Sequence, residues 1–462
     1  MAPSVLWQAA CREEETVVSL LSRGLLSKHA PRQACLRIFP ANGVEIPSKG
    51  EMKEALMSCV DNANYDEAKV PGYELPSPLS TPEGEQVADA FEWANFQRGH
   101  VLNLFEKQMY GQVPPRPDTL RFEILNSRLD ALGGLAVRKE VRIHSEMRNG
   151  RKHFFDMLMY APANATSPVP AFVGLNFKGN HTTTDEEDVR IPTRLHSQED
   201  PAAPGLQKSC WQFEEIIRRG CAVCTACYCD IYMDRRNSEG DSIYSLFGGP
   251  GGYGSADAPG GAISAWAWGL SRICDYLETE TAIDKSRIAV HGHSRLGKTA
   301  LWAGAVDQRF AMLFSINSGC GGAALSRRIF GETIGCFPAH NVGYWYTSKF
   351  FEYVGRENQM PFDQHMLIAL AAPRPVYIAS ANEDLWADPK GEFLSAVHAA
   401  PVYRLFGNDG LGTASMPPPD TSIGNAIGYH IRTGKHDVTE FDWHCFLSFA
   451  ERHFKKQPTV KI

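Results

Sequence analysis

Apolar and polar positions alternate along this chain in two rhythms, and the change between them organises it. Residues 86–110 carry Phe91, Trp93, Phe96, Val101, Leu104 and Phe105 in a pattern close to the helical period. Residues 119–125, 137–144 and 153–160 alternate instead, as strands with one covered face do. Residues 169–177 and 221–231 are dense apolar runs, the pattern of strands buried on both faces. Further short runs at 287–290, 311–316, 375–379 and 427–431 are interleaved with helical stretches at 266–277, 298–305 and 441–454. Antiparallel-looking strands followed by strand–helix alternation predict an α/β fold: a mixed, mostly parallel sheet covered by helices on both faces, a three-layer sandwich. Residues 1–60 stand apart, with a candidate helix at 14–26 and a turn-rich Phe39-Pro-Ala-Asn-Gly43. They are expected to be an N-terminal extension with little order of its own, and 61–462 the main domain. Pro71, Pro76, Pro78 and Pro82 mark an extended lead-in to it.

Composition narrows the function classes. A net charge of −7 gives no footprint for nucleic acid or an anionic membrane surface. No apolar run approaches the roughly 20 residues of a membrane span. The short Val5-Leu6-Trp7 followed by Arg12 and Glu13-Glu14-Glu15 resembles neither a secretory nor a mitochondrial leader, so the compartment stays open. The residues leave oligomeric state open too. Five of the 12 cysteines cluster at Cys210, Cys221, Cys224, Cys227 and Cys229. Their C-x-x-C spacings raise zinc, but residues three apart on one buried strand face opposite ways. Cysteine as a small apolar residue is the better reading, and no metal or cofactor is expected. Disulfide pairing cannot be read from spacing.

The segment with chemistry in it is Arg287-Ile-Ala-Val-His-Gly292-His293-Ser294-Arg295-Leu296-Gly297-Lys298-Thr299. It spells a phosphate-binding loop, Gly292 to Lys298-Thr299, and equally a nucleophile elbow centred on Ser294. The downstream glycine arrives one residue late for G-x-S-x-G, and the segment alone does not separate the two. Distant residues do. A phosphate loop needs a later strand ending in Asp, whereas the run at 311–316 ends in Asn317. A hydrolase needs Ser, an acid and His in that order after strands. The run at 375–379 leads to Asn382-Glu383-Asp384, and the run at 427–431 leads to Lys435-His436-Asp437. The elbow reading follows, with Ser294 as nucleophile, His436 as base and Asp384 as acid. Glu383 competes for the acid if the turn is shifted by one; His430, within a strand, and His444, on the closing helix, compete less well with His436.

Four segments together resemble carbohydrate esterase family 15, the glucuronoyl esterases, in its bacterial form. They are Gly292-His-Ser-Arg-Leu-Gly-Lys298, Ser318-Gly-Cys-Gly-Gly-Ala-Ala-Leu325, Glu383-Asp-Leu-Trp-Ala-Asp-Pro389 and Ile427-Gly-Tyr-His-Ile-Arg-Thr-Gly-Lys-His-Asp-Val438. The likeness runs from about residue 64 to 453. It implies an α/β-hydrolase that cleaves esters between 4-O-methyl-glucuronate of xylan and lignin alcohols, so the expected partner is a uronic-acid ester of plant cell-wall polysaccharide. It also implies Arg295 as oxyanion stabiliser and Lys298, Glu332 and Trp386 as the glucuronate pocket. The family's acid stands at one of two places, which here are Asn317 and Asp384, so Asp384 is expected to serve alone. A second oxyanion donor is expected from Lys178-Gly-Asn-His181. His181 and Trp268 are worth watching. Each of these residues has a duller alternative: surface ion pairs for Arg295 and Lys298, a local cap for Glu332, core packing for Trp386. The rival functions are a general carboxylesterase or acetyl-xylan esterase using the same residues, a nucleotide-binding protein, and a catalytically silent carbohydrate binder.

Overall fold

The computed structural model describes residues 62–192, 202–248, 254–255 and 258–455; the N-terminal extension at 1–60, with its candidate helix at 14–26, lies outside them. Ten strands form the main sheet: β1 Thr119–Asp130, β2 Ala136–Glu146, β3 Lys152–Pro162, β4 Val169–Asn176, β5 Ala222–Cys227, β6 Ile283–His293, β7 Phe310–Ile316, β8 Val376–Ala381, β9 Ile423–Gly424 and β10 Ile427–Arg432. Their spatial order is β1-β2-β3-β5-β4-β6-β7-β8-β10-β9. The first three strands and β5 pair antiparallel; β5, β4, β6, β7, β8 and β10 run parallel. The sheet is mixed and mostly parallel, as its sequence pattern predicts.

Both faces of the parallel strands are covered, and successive residues show it. Val173, Val290, Leu313 and Ile378 pack into one core with Trp266, Ile273 and Leu301. Their neighbours Phe172, Ala289, Met312 and Tyr377 pack into a second with Phe213, Trp443, Phe446 and Phe449. The helices α1 Arg98–Phe105, α3 Ala262–Leu277, α4 Arg295–Val306, α5 Gln364–Ala369 and α6 Pro389–Leu405 contribute to the first core; α2 Phe213–Arg218 and α7 Glu440–Phe454 contribute to the second. Strands flanked this way have no wet face, which is why their sequences read as continuous apolar runs.

Several sequence-predicted boundaries move. β1 extends to Asp130 and β6 begins at Ile283, because paired partners carry strand geometry into polar residues. The run at 221–231 is not one strand. β5 stops at Cys227, opposite the last residue of β4, and the chain turns into a helical loop, Tyr228–Ile231. Beyond Cys227 the β4 side offers no further partner for an extended chain. Cys221 lies in one core while Cys224, Cys227 and Cys229 lie in the other, and burial raises the Cys221 and Cys224 thiols well above their ordinary range.

Phe314 joins β7 to the second core, against Phe172, Tyr377, Phe446 and Phe449 with ring centroids 5.1–6.1 Å away. Phe314→Ala is expected to cost about 3–5 kcal/mol, read as a lowered urea midpoint with secondary structure retained below it.

Candidate active site

The site is built where parallel strands end and the chain must turn. After β6, Ser294 adopts φ 58° and ψ −128°, a conformation that side-chain-bearing residues rarely hold, and α4 starts at the next residue. Gly292 makes this possible: a Cβ there would stand 2.0 Å from the Leu296 carbonyl oxygen. The Ser294 N–H donates to the Ile316 carbonyl at 2.8 Å, fastening the turn to β7. Such a turn lifts a serine hydroxyl clear of the sheet at the head of a helix, where the first amides have no intrahelical acceptor.

The loops after β8 and β10 are tied to each other. The Asn382 N–H donates to the Arg432 carbonyl, the Glu383 N–H to the Gly434 carbonyl, and the Gly434 N–H to the Asn382 side chain. Arg432 donates to the carbonyls of Lys435 and Asp437, one on each side of His436. Asp384 Oδ2 lies 2.6 Å from His436 Nδ1, while Glu383 is exposed. The acid beside the imidazole is therefore Asp384. His430 is bound to Asp442 and Tyr377, and His444 pairs with Glu440 on the surface, so neither competes. His436 stacks obliquely on His293, centroids 4.4 Å apart, which sets its ring beside the Ser294 turn. Burial and the neighbouring His436 and cations keep His293 neutral, far below the ordinary histidine range. Burial opposes charge on Asp384, but His436 and Asn317 outweigh it and hold the carboxyl below its usual range. Asn317 Nδ2 donates to Asp384 Oδ2 at 2.8 Å, so the residue at the family's other acid position supports the acid instead of replacing it.

Two cations follow the serine on α4. Arg295 donates to Asp234 at 2.5 Å and lies over the Trp345 ring at 4.7 Å. Its Nε is buried and has no acceptor among the described residues. Asp234 is buried and also accepts from Tyr228, Tyr344 and Trp345, which together with Arg295 overcome its burial and hold it ionised. Lys298 is buried and donates to the Ser318 and Cys320 carbonyls at 2.7 and 2.8 Å and to Glu332 at 3.3 Å. Three acceptors match its three hydrogens, so it reaches outward through Glu332. That inward orientation also disposes of the phosphate-loop reading. The Glu332 N–H donates to the Trp386 carbonyl, and the half-buried Trp386 stacks on His340.

Other expectations fare unevenly. In the loop after β4, the Gly179 N–H is taken by Asn176 and the His181 ring by the Ala202 carbonyl. Neither is an open donor; Phe177 instead faces Arg295. Trp268 is a core residue bonded to the Pro115 carbonyl. Sequence reasoning missed Asp234, Arg432 and Glu392. Glu392 Oε1 accepts from the Ser318 and Gly319 amides, and Oε2 accepts from Ser380. Its place in the first turn of α6 is ordinary for an acidic residue and gave no sign of a special role.

A strained serine, a carboxylate–imidazole pair and fixed cations at the ends of parallel strands are the parts expected of a site in the α/β-hydrolase class. The family described as "Glucuronyl esterase, fungi" matches residues 177–407. A carbohydrate esterase of an unknown prokaryotic organism is 44% identical over 400 residues, covering 84% of this chain and 92% of that protein. The glucuronoyl esterase structure from Solibacter usitatus superposes with a TM-score of 0.78 at 43% identity, over 83% of this chain and 99% of that one. A 4-O-methyl-glucuronoyl methylesterase of Hypocrea jecorina is 37% identical over 66% of this chain and 56% of its own. The chain belongs to the glucuronoyl esterases, carbohydrate esterase family 15, and is a carboxylic-ester hydrolase.

Burial pushes the Glu392 carboxyl up to about 7; its hydrogen bonds oppose the rise and Asp384 adds to it. A carboxyl whose pKa is raised by folding stabilises the fold below its unfolded value and loses that contribution as pH climbs through the folded one. Thermal stability is expected to fall between about pH 5 and pH 8, and the fall to shrink in Glu392→Gln. Calorimetry across that range checks it; equal slopes in the two proteins would contradict it.

Proposed function

We propose that the chain hydrolyses esters of glucuronic acid, of the kind that joins 4-O-methyl-glucuronate of plant xylan to lignin alcohols, with Ser294, His436 and Asp384 as its triad. The observation that carries this is the Asp384–His436 pair at 2.6 Å beside an elbow whose helix bears Arg295 and Lys298. The relative named 4-O-methyl-glucuronoyl methylesterase supports the substrate class.

In this reading His436 takes the Ser294 proton as the hydroxyl attacks the ester carbonyl, and Asp384 holds the imidazole tautomer and offsets the charge it gains. Negative charge develops on the carbonyl oxygen. Arg295 meets it with its backbone amide and with the unengaged Nε of its guanidinium, each aimed donor contributing about 3 kcal/mol in the transition state. Asp234 keeps the guanidinium from rotating away. The alcohol departs with the proton held by His436, leaving a glucuronoyl-serine that water hydrolyses with His436 acting again as base. Lys298 fixes Glu332, whose second oxygen accepts from a sugar hydroxyl, and Trp386 offers its face to the ring. A neutral-ester activity such as deacetylation is the alternative within the same chemistry.

Asp384→Asn is expected to lower kcat by about four orders of magnitude, with Glu383→Gln close to wild type, in a benzyl glucuronate assay. Lys298→Ala is expected to raise KM for benzyl glucuronate by roughly tenfold or more and to leave acetate esters much less affected. Activity confined to acetate esters and indifferent to Lys298 would overturn the uronate reading.

A further inference from the structure

The segment leading into the domain crosses the two loops that wall the pocket. The Asn64 carbonyl accepts from the Gly331 N–H at 2.9 Å, and its side chain donates to the Ile329 carbonyl at 3.4 Å. Three residues on, Glu67 accepts from Arg328 at 2.5 Å and Lys390 at 2.6 Å, and Arg328 also reaches Asp388 at 2.8 Å. Gly331 in turn lies so close to the Leu385 and Trp386 carbonyls that a Cβ would stand 2.5 Å from each. The lead-in, the loop bearing Glu332 and the loop bearing Asp384 and Trp386 are thus layered and pinned. Tyr65 sits between the two pins.

Its ring packs edge-on against Phe330 at 6.1 Å, and 43% of the residue is exposed. Its hydroxyl has no hydrogen-bond partner among the described residues. Burial, then the nearby charges of Asp384 and Glu332, push that hydroxyl's pKa up to about 12, so it is a neutral donor at any working pH. Both carboxylates have other partners: Asp384 Oδ2 takes His436 and Asn317, and Glu332 Oε2 takes Lys298. A phenol set against Phe330, two residues before Glu332, and bonded to neither carboxylate has its donor available for a third party.

We propose that Tyr65 is a specificity-determining residue of the site, its phenolic O–H donating to an oxygen of the uronate ring while Glu332 accepts from a ring hydroxyl. Adjacent oxygens of a sugar ring present an acceptor and a donor side by side, and this pair answers both. The inference rests on the uronate-ester reading above.

The test is steady-state kinetics of the full chain on benzyl glucuronate and 4-nitrophenyl acetate. In Tyr65→Phe, which removes one O–H and keeps the ring, KM for benzyl glucuronate is expected to rise about fivefold, the size of one neutral hydrogen bond. The KM rise on the acetate ester is expected to be several times smaller, and kcat on glucuronate to change less than KM. Glu67→Ala, which frees one pin without touching the pocket, is expected to raise the glucuronate KM in the same direction. An unchanged glucuronate KM in Tyr65→Phe, or an equal rise on both esters, would overturn the role of Tyr65 while leaving the uronate reading intact. A wild-type protein active on acetate but not on benzyl glucuronate would overturn both.

Discussion

The backbone at Ser294 is the constraint on which the site depends. Its φ of 58° and ψ of −128° carry the chain from a buried strand straight into a helix within one residue. The turn closes only because Gly292 lets the Leu296 carbonyl lie against it, and because the Ser294 amide is bonded across to β7. Strain of this kind costs on the order of 1–3 kcal/mol and persists where the surroundings over-determine it. Here the surroundings are two packed cores, and the strain is spent on direction. One turn aims the serine outward and sets Arg295 and Lys298 on the first turn of α4.

A second turn, from Asn317 to Cys320, does the complementary work. Asn317 has a positive φ of 47°, and its side chain holds Asp384. The next carbonyls, of Ser318 and Cys320, hold Lys298. Glu392 grips the Ser318 and Gly319 amides from beneath. One short piece of backbone therefore positions both the acid that steadies the imidazole and the cation that steadies Glu332.

The charges below the pocket are costly, since a buried ion pair at best roughly breaks even against apolar packing. Arg295 with Asp234, Lys298 with Glu332, and Arg432 with Asp442 are nevertheless all in place. Each is held by further hydrogen bonds from its neighbours, and each fixes a group near the site. What they supply is orientation, which a flexible exposed cation cannot give.

The chain's own pattern determined a good deal. Period-two and dense apolar runs marked the strands of the parallel sheet, and two glycines around a serine marked the elbow. The order of Ser294, Asp384 and His436 after successive strands separated a hydrolase from a phosphate loop, because that order follows from topology. Other features lay beyond it. Asp384 and Glu383 are adjacent and chemically alike, and only the bonds tying the β8 and β10 loops decide which one faces His436. The cysteine-rich run looks like one long strand until β4 ends and β5 loses its partner on that side. Asp234, Glu392 and Tyr65 are ordinary residues in sequence. Their importance comes from partners 61, 74 and 265 positions away or thereabouts, through contacts that exist only once the sheet has closed around them. Local pattern reports which face a residue prefers; which distant group it meets there is set by the packing of the whole domain.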